Sequence, residues 1–147
     1  MDKIAIIYSS FHHDNTKKVI EEMAKARKID IIKLSETNSI DLSKYKYIGF
    51  ASGIYFQKMN VELINFAKKI NFSENQKTFI VYTCGLNYKN YVRELEEVLK
   101  NSICDFIGTF HCRGYDSFGS LKLIGGIAKK HPNEKDLKRA REFINSI

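Results

Sequence analysis

The stretch that decides the fold is Ile4-Ala5-Ile6-Ile7-Tyr8-Ser9-Ser10-Phe11-His12-His13-Asp14-Asn15-Thr16. It begins with a short apolar run typical of a buried strand, and it ends where a helical pattern starts near Asn15. The turn between them is rich in hydroxyl, imidazole and amide groups. The first N–H groups of a helix have no partner within the helix and lie at the positive end of its dipole. The turn is therefore predicted to bind an anion such as a phosphate.

Apolar runs and helical patterns alternate along the rest of the chain. Strands are predicted at residues 3–9, 29–34, 45–52, 77–83 and 104–112, because these runs are short, nearly continuous and rich in Ile, Val, Phe and Tyr. Between them, apolar residues repeat every three or four positions, as they do in amphipathic helices. The three repeats are Val19, Ile20, Met23 and Ala24; Leu63, Ile64, Ala67 and Ile70; and Val92, Leu95, Val98 and Leu99.

Two further segments complete this pattern. Residues 35–44 are too short and polar for a full helix, so a loop or a single turn is predicted there. A last helix is predicted to begin after Pro132, with Asn133 as its cap. The residues of this helix expected to face inward are Leu137, Ala140, Phe143, Ile144 and Ile147.

Strands that alternate with helices favour parallel βαβ units, with helices on both faces of one sheet. The pattern predicts an α/β three-layer sandwich whose five-stranded parallel sheet has the order 2-1-3-4-5. The 147 residues suffice for one core, so one domain is predicted over residues 1–147. Ligands of such sheets bind at the carboxyl ends of the strands, where the strand order reverses between strands 1 and 3. The loops after strands 1, 3 and 4 are therefore expected to meet at one crevice.

These three loops carry complementary chemistry. The first offers hydrogen-bond donors for a phosphate. The other two combine glycine with aromatic or amide side chains, as Gly53 with Tyr55 and Phe56, and Gly85 with Asn87 and Tyr88. Glycine lets the backbone approach the edge of a ring, and aromatic faces stack on it. A flat ring joined to a phosphate, as in flavin mononucleotide (FMN), meets this description.

On these motifs the chain resembles the flavodoxin family, whose members carry a Ser/Thr-rich loop ending in a pair such as Asn15-Thr16 after strand 1. The resemblance runs through almost the whole chain and implies an FMN cofactor. It implies that the phosphate is held by Ser9, Ser10, His12, Asn15 and Thr16. It also implies that segments 53–57 and 83–88 border the isoalloxazine ring, with Gly53, Ile54, Tyr55, Phe56, Thr83, Cys84, Gly85, Asn87 and Tyr88 as cofactor-binding residues.

Two features depart from the family pattern. His13-Asp14 replaces the usual Thr-Gly before Asn-Thr, in a loop one residue longer than is typical. The chain is also basic, with a formal net charge of +7, whereas typical flavodoxins are acidic. Positive charge near a reduced flavin favours its anionic form. We therefore expect a less negative reduction potential than in acidic flavodoxins, and an acidic redox partner protein.

The charge pattern and hydropathy argue against other partners. Lysines are mixed with acidic residues along the helical segments, and no RNA-binding or zinc-finger signature is present, so no specific nucleic-acid partner is predicted. No apolar run reaches about 18 residues, and the first residues lack a secretory signal. A cytoplasmic protein with no membrane partner is therefore expected.

The cysteines and histidines predict neither a disulfide nor a metal site. The three cysteines have no close C-x-x-C spacing, which favours reduced thiols. Cys84 and Cys112 end two neighbouring strands, where packed thiols are favoured over a redox pair. His12 and His13 with His111 lack the ligand spacing of a metal centre, so no metal is predicted.

Residues 113–132 form a long connection with four glycines, which is predicted to be a lid over the flavin or a surface for a partner or an oligomer. Other phosphate-binding classes lack their signatures here. The C-x5-R nucleophile loop of small phosphatases, the clustered acids of receiver domains and a G-x-G-x-x-G turn are all absent after strand 1. The chain is compact and carries no evident nicotinamide-binding addition, which favours an electron-transfer protein with no catalytic residues of its own. Two alternatives stay open: a small FMN-dependent NAD(P)H oxidoreductase of the quinone reductase type, and a cofactor-free interaction module.

Overall fold

The structure, a computed structural model, describes residues 2–9, 15–54, 58–85, 89–114 and 130–147. Its strands are β1 (Ile4–Ser9), β2 (Asp30–Lys33), β3 (Tyr47–Gly53), β4 (Lys77–Cys84) and β5 (Asp105–Arg113). Its α-helices are α1 (Asn15–Ala26), α2 (Val61–Lys69), α3 (Arg93–Lys100) and α4 (Glu134–Ser146). All five predicted strands are present, with ends within two residues of the predicted bounds.

The five strands lie parallel in one sheet of order β2-β1-β3-β4-β5, which confirms the predicted fold class. The strand order reverses at β1, which has β2 on one side and β3 on the other. The register pairs Ser9 with Ser52 and Gly53 with Thr83, so β1, β3 and β4 end side by side. We call this end of the sheet the carboxyl edge, and the opposite end, where the strands begin, the amino edge.

Each face of the sheet has its own apolar core. Ile6 and Phe79 are fully buried in the core beneath α1 and α4, and Phe50 and Ile80 are fully buried in the core beneath α2 and α3. Alternate residues of a strand fill opposite cores, which is why the strands are nearly continuous apolar runs in the sequence. Gly49 leaves room for the Phe79 ring, because a Cβ at residue 49 would come within 2.5 Å of that ring.

The polar stretch after β2 forms two short 3-10 helices, Leu34–Ser39 and Leu42–Lys44, in place of a full α-helix. At the other end of the chain, α4 starts with a capping box. The Asn133 side chain accepts from the Asp136 N–H, and the Asp136 carboxylate accepts from the Asn133 N–H. The predicted start and cap of α4 are therefore confirmed.

The inward face of α4 is less completely buried than expected. Ala140 and Ile144 are fully buried, whereas Leu137, Phe143 and Ile147 are only half buried. The reason is position: α4 packs over β5, the edge strand, so its outer side has no neighbouring helix within the described residues.

Candidate functional site

A buried pair of hydroxyl groups joins the start of α1 to the end of β4. Thr16 Oγ1 and Thr83 Oγ1 lie 2.9 Å apart, and both side chains are buried. One hydroxyl proton forms this hydrogen bond, so the other proton of the pair remains able to serve a second acceptor. The pair holds the first turn of α1 against the carboxyl edge. One of its two hydroxyl protons is not used in this hydrogen bond and can be donated to a ligand.

Asn60 joins the ends of β1 and β3 to the start of α2. Its Nδ2 donates to Ser9 Oγ over 2.8 Å, and its N–H donates to Ser52 Oγ over 3.5 Å. Its Oδ1 accepts from the Leu63 N–H over 3.1 Å and so caps α2. Ser9 Oγ is an acceptor here, and the described residues provide no acceptor for its own proton. Ser9 can therefore donate that proton to a ligand.

Sequence reasoning missed Asn60 as a member of this site. An Asn three residues before Leu63, at the start of a helical pattern, is a recognisable cap signal. The cap signal places Asn60 at a helix start. Its contact with Ser9, which is 51 residues away in the sequence, follows only from the packing of β1 beside β3.

Backbone hydrogen bonds tie the ends of β3, β4 and β5 together. The Ile54 N–H donates to the Thr83 carbonyl over 2.9 Å, which continues the ladder beyond Gly53. The Gly114 N–H donates to the Cys84 carbonyl over 3.0 Å. Arg113 Nε donates to the Gly85 carbonyl over 2.9 Å. A guanidinium group therefore lies beside Gly85, the last described residue before the loop that follows β4.

The predicted site residues within the described part of the chain all lie at the carboxyl edge. Ser9, Gly53, Ile54, Thr83, Cys84 and Gly85 stand at or next to the ends of β1, β3 and β4, while Asn15 and Thr16 begin α1. The predicted residues Ser10, His12, Tyr55, Phe56, Asn87 and Tyr88 lie outside the described residues, as do His13 and residues 115–129 of the predicted lid.

Close packing at Gly114 fixes the surroundings of Asn15. A Cβ at residue 114 would come within 2.6 Å of Asn15 Nδ2, so only glycine lets the backbone after β5 pass this close to α1. Asn15 itself is buried. The first turn of α1 is thus enclosed by β4, through the threonine pair, and by the chain that leaves β5.

An aromatic group lies on the α2 and α3 side of this edge. The Tyr82 ring stacks on His111 with centroids 5.1 Å apart, and Tyr91 meets Tyr82 edge to face at 6.2 Å. Burial raises the pKa of Tyr82 to about 12, and burial together with the charge of Arg139 lowers the pKa of His111. Both rings are therefore uncharged at neutral pH.

Cys84 and Cys112 end neighbouring strands but belong to different cores. The register pairs Cys112 with Thr83, so Cys84 faces α2 and α3 while Cys112 faces α1 and α4. Two side chains on opposite faces of a sheet cannot adopt disulfide geometry. Burial raises the pKa of the Cys112 thiol to about 12, which makes it a poor nucleophile. The geometry favours packed thiols over a redox pair.

Two other kinds of site are absent from the described residues. No group of three His, Cys, Asp or Glu side chains there is arranged to bind a metal ion. None of the helices in this part of the chain is long and apolar enough to cross a membrane.

Comparison with known proteins gives a family and a fold. A family model described as a flavodoxin domain matches residues 5–119. An uncharacterized protein of Methanocaldococcus jannaschii is 39% identical over 147 residues, covering 99% of this chain and 97% of the relative. Oxidised Flavodoxin 2 from Bacillus cereus superposes with a TM-score of 0.73 at 14% identity, covering 98% and 96% of the two chains. A Fusobacterium nucleatum flavodoxin bound to flavin mononucleotide has a TM-score of 0.68 at 12% identity, covering 99% and 96%.

Proposed function

The chain belongs to the flavodoxin domain family, and we propose that it binds FMN at the carboxyl edge of its sheet and acts in electron transfer. One observation carries the proposal: the polar ends of β1, β3 and β4 converge with the start of α1 where the strand order reverses. Ligands of doubly wound sheets bind at this place. The FMN bound by the Fusobacterium nucleatum flavodoxin supports the choice of cofactor.

The phosphate end of FMN fits the side of the edge formed by β1 and α1. The start of α1 presents backbone N–H groups and the positive end of the helix dipole. The Ser9 hydroxyl can donate to the same anion while it accepts from Asn60. The Thr16 and Thr83 pair retains one further proton. In this proposal Ser10, His12 and Asn15 contribute to the same phosphate site, as the resemblance implies.

The ring end fits the side formed by the ends of β3 and β4. Gly53 and Gly85 present main-chain groups without a side chain, which suits the edge of a flat ring, and Ile54 follows Gly53 at this place. Bound FMN would supply the electron-accepting chemistry, and the protein would bind, orient and electrostatically tune it. Arg113, held on the Gly85 carbonyl, places a positive charge beside this region. That charge favours added electrons and so supports a less negative reduction potential.

Titration of the purified protein with FMN, followed by visible absorbance, tests the proposal. We expect binding in the wild type and a loss of at least about tenfold in affinity for Ser9→Asp, because a carboxylate there would repel the phosphate. Ser73→Asp, an exposed change before β4 at the amino edge, is the matched control and should bind like the wild type. Far-UV circular dichroism of each variant checks folding. No binding by the wild type would favour the cofactor-free module.

The electron-transfer role is tested separately from FMN binding. In the FMN-loaded protein, stopped-flow mixing with NADH or NADPH should leave the flavin oxidised over seconds, because a carrier needs a protein reductant. Rapid bleaching would instead establish the NAD(P)H oxidoreductase. A redox titration of the same sample measures the potential, and a value as negative as that of acidic flavodoxins would contradict the assigned effect of Arg113.

A further inference from the structure

Exposed basic side chains stand near the starts of three helices. Lys58 precedes α2, Arg93 begins α3, and Lys130 and Lys135 flank the start of α4. Helices that connect parallel strands run back from the carboxyl edge, so all four residues lie around that edge. We call these four residues the basic rim. Each is exposed, and no side-chain partner for any of them is recorded within the described residues.

The acidic residues of the same helix starts are mostly held by partners within the chain. Glu62 at the start of α2 is exposed and has no recorded ion pair among the described residues. Three of the other acids lie beside a cation: Glu94 beside Lys68 at 3.6 Å, Glu134 beside Arg141 at 3.0 Å, and Asp136 beside Arg139 at 3.7 Å. Glu96 accepts from Asn90 at 2.6 Å and from Thr109 at 3.0 Å, and it keeps its charge because both donors are neutral. Among the described residues near these helix starts, the four residues of the basic rim therefore outnumber the two acids without a neighbouring cation, Glu62 and Glu96.

We propose that the basic rim is a docking surface for an acidic electron-carrier protein, an inference that rests on the proposed function. Complementary charge steers two proteins together and fixes their orientation more than it adds affinity. The rim surrounds the edge at which the cofactor is proposed, so a partner held there would bring its own redox centre towards the flavin. A nucleic acid or a lipid surface has the opposite charge too, but brings no redox centre.

A pair of charge-reversed variants tests the surface. The rim variant combines Lys58→Glu, Arg93→Glu and Lys135→Glu. The control variant combines Lys28→Glu, Lys44→Glu and Lys69→Glu, three exposed lysines that lie at the amino edge, after α1, before β3 and at the end of α2. Both variants change the net charge equally, so only the location of the charge differs. Thermal unfolding confirms that both are folded.

Binding to an acidic plant-type ferredoxin is measured by calorimetry at low ionic strength, with basic cytochrome c as the charge control. We expect the wild type to bind the ferredoxin and not cytochrome c, with an affinity that falls as salt rises. The rim variant should bind the ferredoxin at least about tenfold more weakly, while the control variant stays within about twofold of the wild type.

Three results would overturn the proposal. The first is an absence of ferredoxin binding by the wild type at low salt. The second is equal weakening in the rim and control variants. The third is rim-dependent binding of duplex DNA or anionic vesicles without ferredoxin binding, which would assign the surface to a nucleic acid or a membrane.

The visible spectrum of each sample separates this proposal from the proposed cofactor. Protein that binds no added FMN but still binds ferredoxin through the rim would retain the docking surface and refute the FMN site. FMN-loaded protein that does not bind ferredoxin would support the FMN site and refute the docking surface.

Discussion

The two edges of the sheet use polar side chains in different ways. At the amino edge, Arg27 Nη1 donates to the carbonyls of Ile144 and Ile147 over 3.1 Å each, so the guanidinium closes the end of α4. At the carboxyl edge, Thr16 and Thr83 bond to each other. At the amino edge, the side-chain donor of Arg27 is already hydrogen-bonded to carbonyls that have no partner within the helix. The Ser9 hydroxyl and the threonine pair at the carboxyl edge can still donate to a ligand, whereas the Ser52 hydroxyl donates to the Gly53 carbonyl.

Gln76 repeats the amino-edge pattern. Its Nε2 donates to the carbonyls of Leu42 and Tyr45 over 2.9 Å each, and its Oε1 accepts from the Ser73 N–H. A cavity of about 470 Å³ also lies at the amino edge, lined by residues that include Lys3 and Arg27. Unused hydrogen-bonding capacity of the described side chains therefore distinguishes the carboxyl edge from the amino edge.

Breaking the threonine pair should produce the largest effect. Thr83→Val leaves the buried Thr16 hydroxyl without its partner, so the free energy of unfolding should fall by about 1–3 kcal/mol. The double variant Thr16→Val with Thr83→Val removes both hydroxyls and should lose less than the sum of the single losses. Urea unfolding of the four proteins measures this coupling. Strictly additive losses would show that the two hydroxyls do not depend on each other.

Arg27→Met tests the amino edge and should have an intermediate effect. Methionine keeps the apolar part of the side chain but removes the guanidinium, so two carbonyls at the end of α4 lose their hydrogen-bond donor. We therefore expect the free energy of unfolding to decrease by about 1–2 kcal/mol. The exposed neighbour Lys28 provides the control, and Lys28→Met should change stability by less than about 0.5 kcal/mol. FMN affinity should be unchanged in both. A large loss of affinity in Arg27→Met would mean that the edges are not independent.

The smallest effect at neutral pH is expected for Cys112, because its contribution to stability changes only at alkaline pH. Burial first, and the charge of Asp136 next, raise the pKa of Cys112 from 9.0 to about 12. Between these values the folded chain keeps a proton that the unfolded chain releases, so stability is fully present below about pH 9 and falls as the pH rises towards 12. In the Cys112→Ala variant, the free energy of unfolding should decrease less steeply as the pH rises from about 9 towards 12.

Tyr45, at the amino edge, is expected to affect the pH dependence of stability in the same direction as Cys112. Its hydrogen bond to Asp30, with burial second, raises its pKa from 10.0 to about 12, so its contribution is lost over a narrower and more alkaline window. Tyr45→Phe should change the slope only above about pH 10, and less than Cys112→Ala does, because Tyr45 is more exposed to solvent. Urea unfolding at several alkaline pH values compares the slopes. Identical slopes in all three proteins would contradict the assigned shifts.

Much of the fold followed from local patterns. The strand runs, the α4 start at Asn133 and the short polar stretch after β2 were predictable because hydrophobic periodicity, strand length and capping residues act over a few positions. The convergence of three strand ends on one edge was predictable too, since parallel sheets of this order permit few arrangements.

The contacts within the site were not predictable in the same way. Thr16 and Thr83 were both expected to bind a ligand, but their bond to each other spans 67 residues of sequence. The sequence around Asn60 indicates a helix cap but not its contact with Ser9. Arg113 was predicted to belong to a lid, and its hydrogen bond to the Gly85 carbonyl was not predicted. Such contacts depend on which strands are neighbours and how they are aligned, and a local pattern contains neither.

The amino-acid sequence by itself therefore determined the order of elements and the polar character of the turns that end the strands. The tertiary structure alone decided which of those polar groups meet and which cysteine faces which core. The register pairs Cys112 with Thr83, the residue before Cys84, so the side chains of Cys84 and Cys112 lie on opposite faces of the sheet. The physical reason is that register is set by the packing of both cores at once, because a shift of one residue would turn every buried side chain of a strand to the other face.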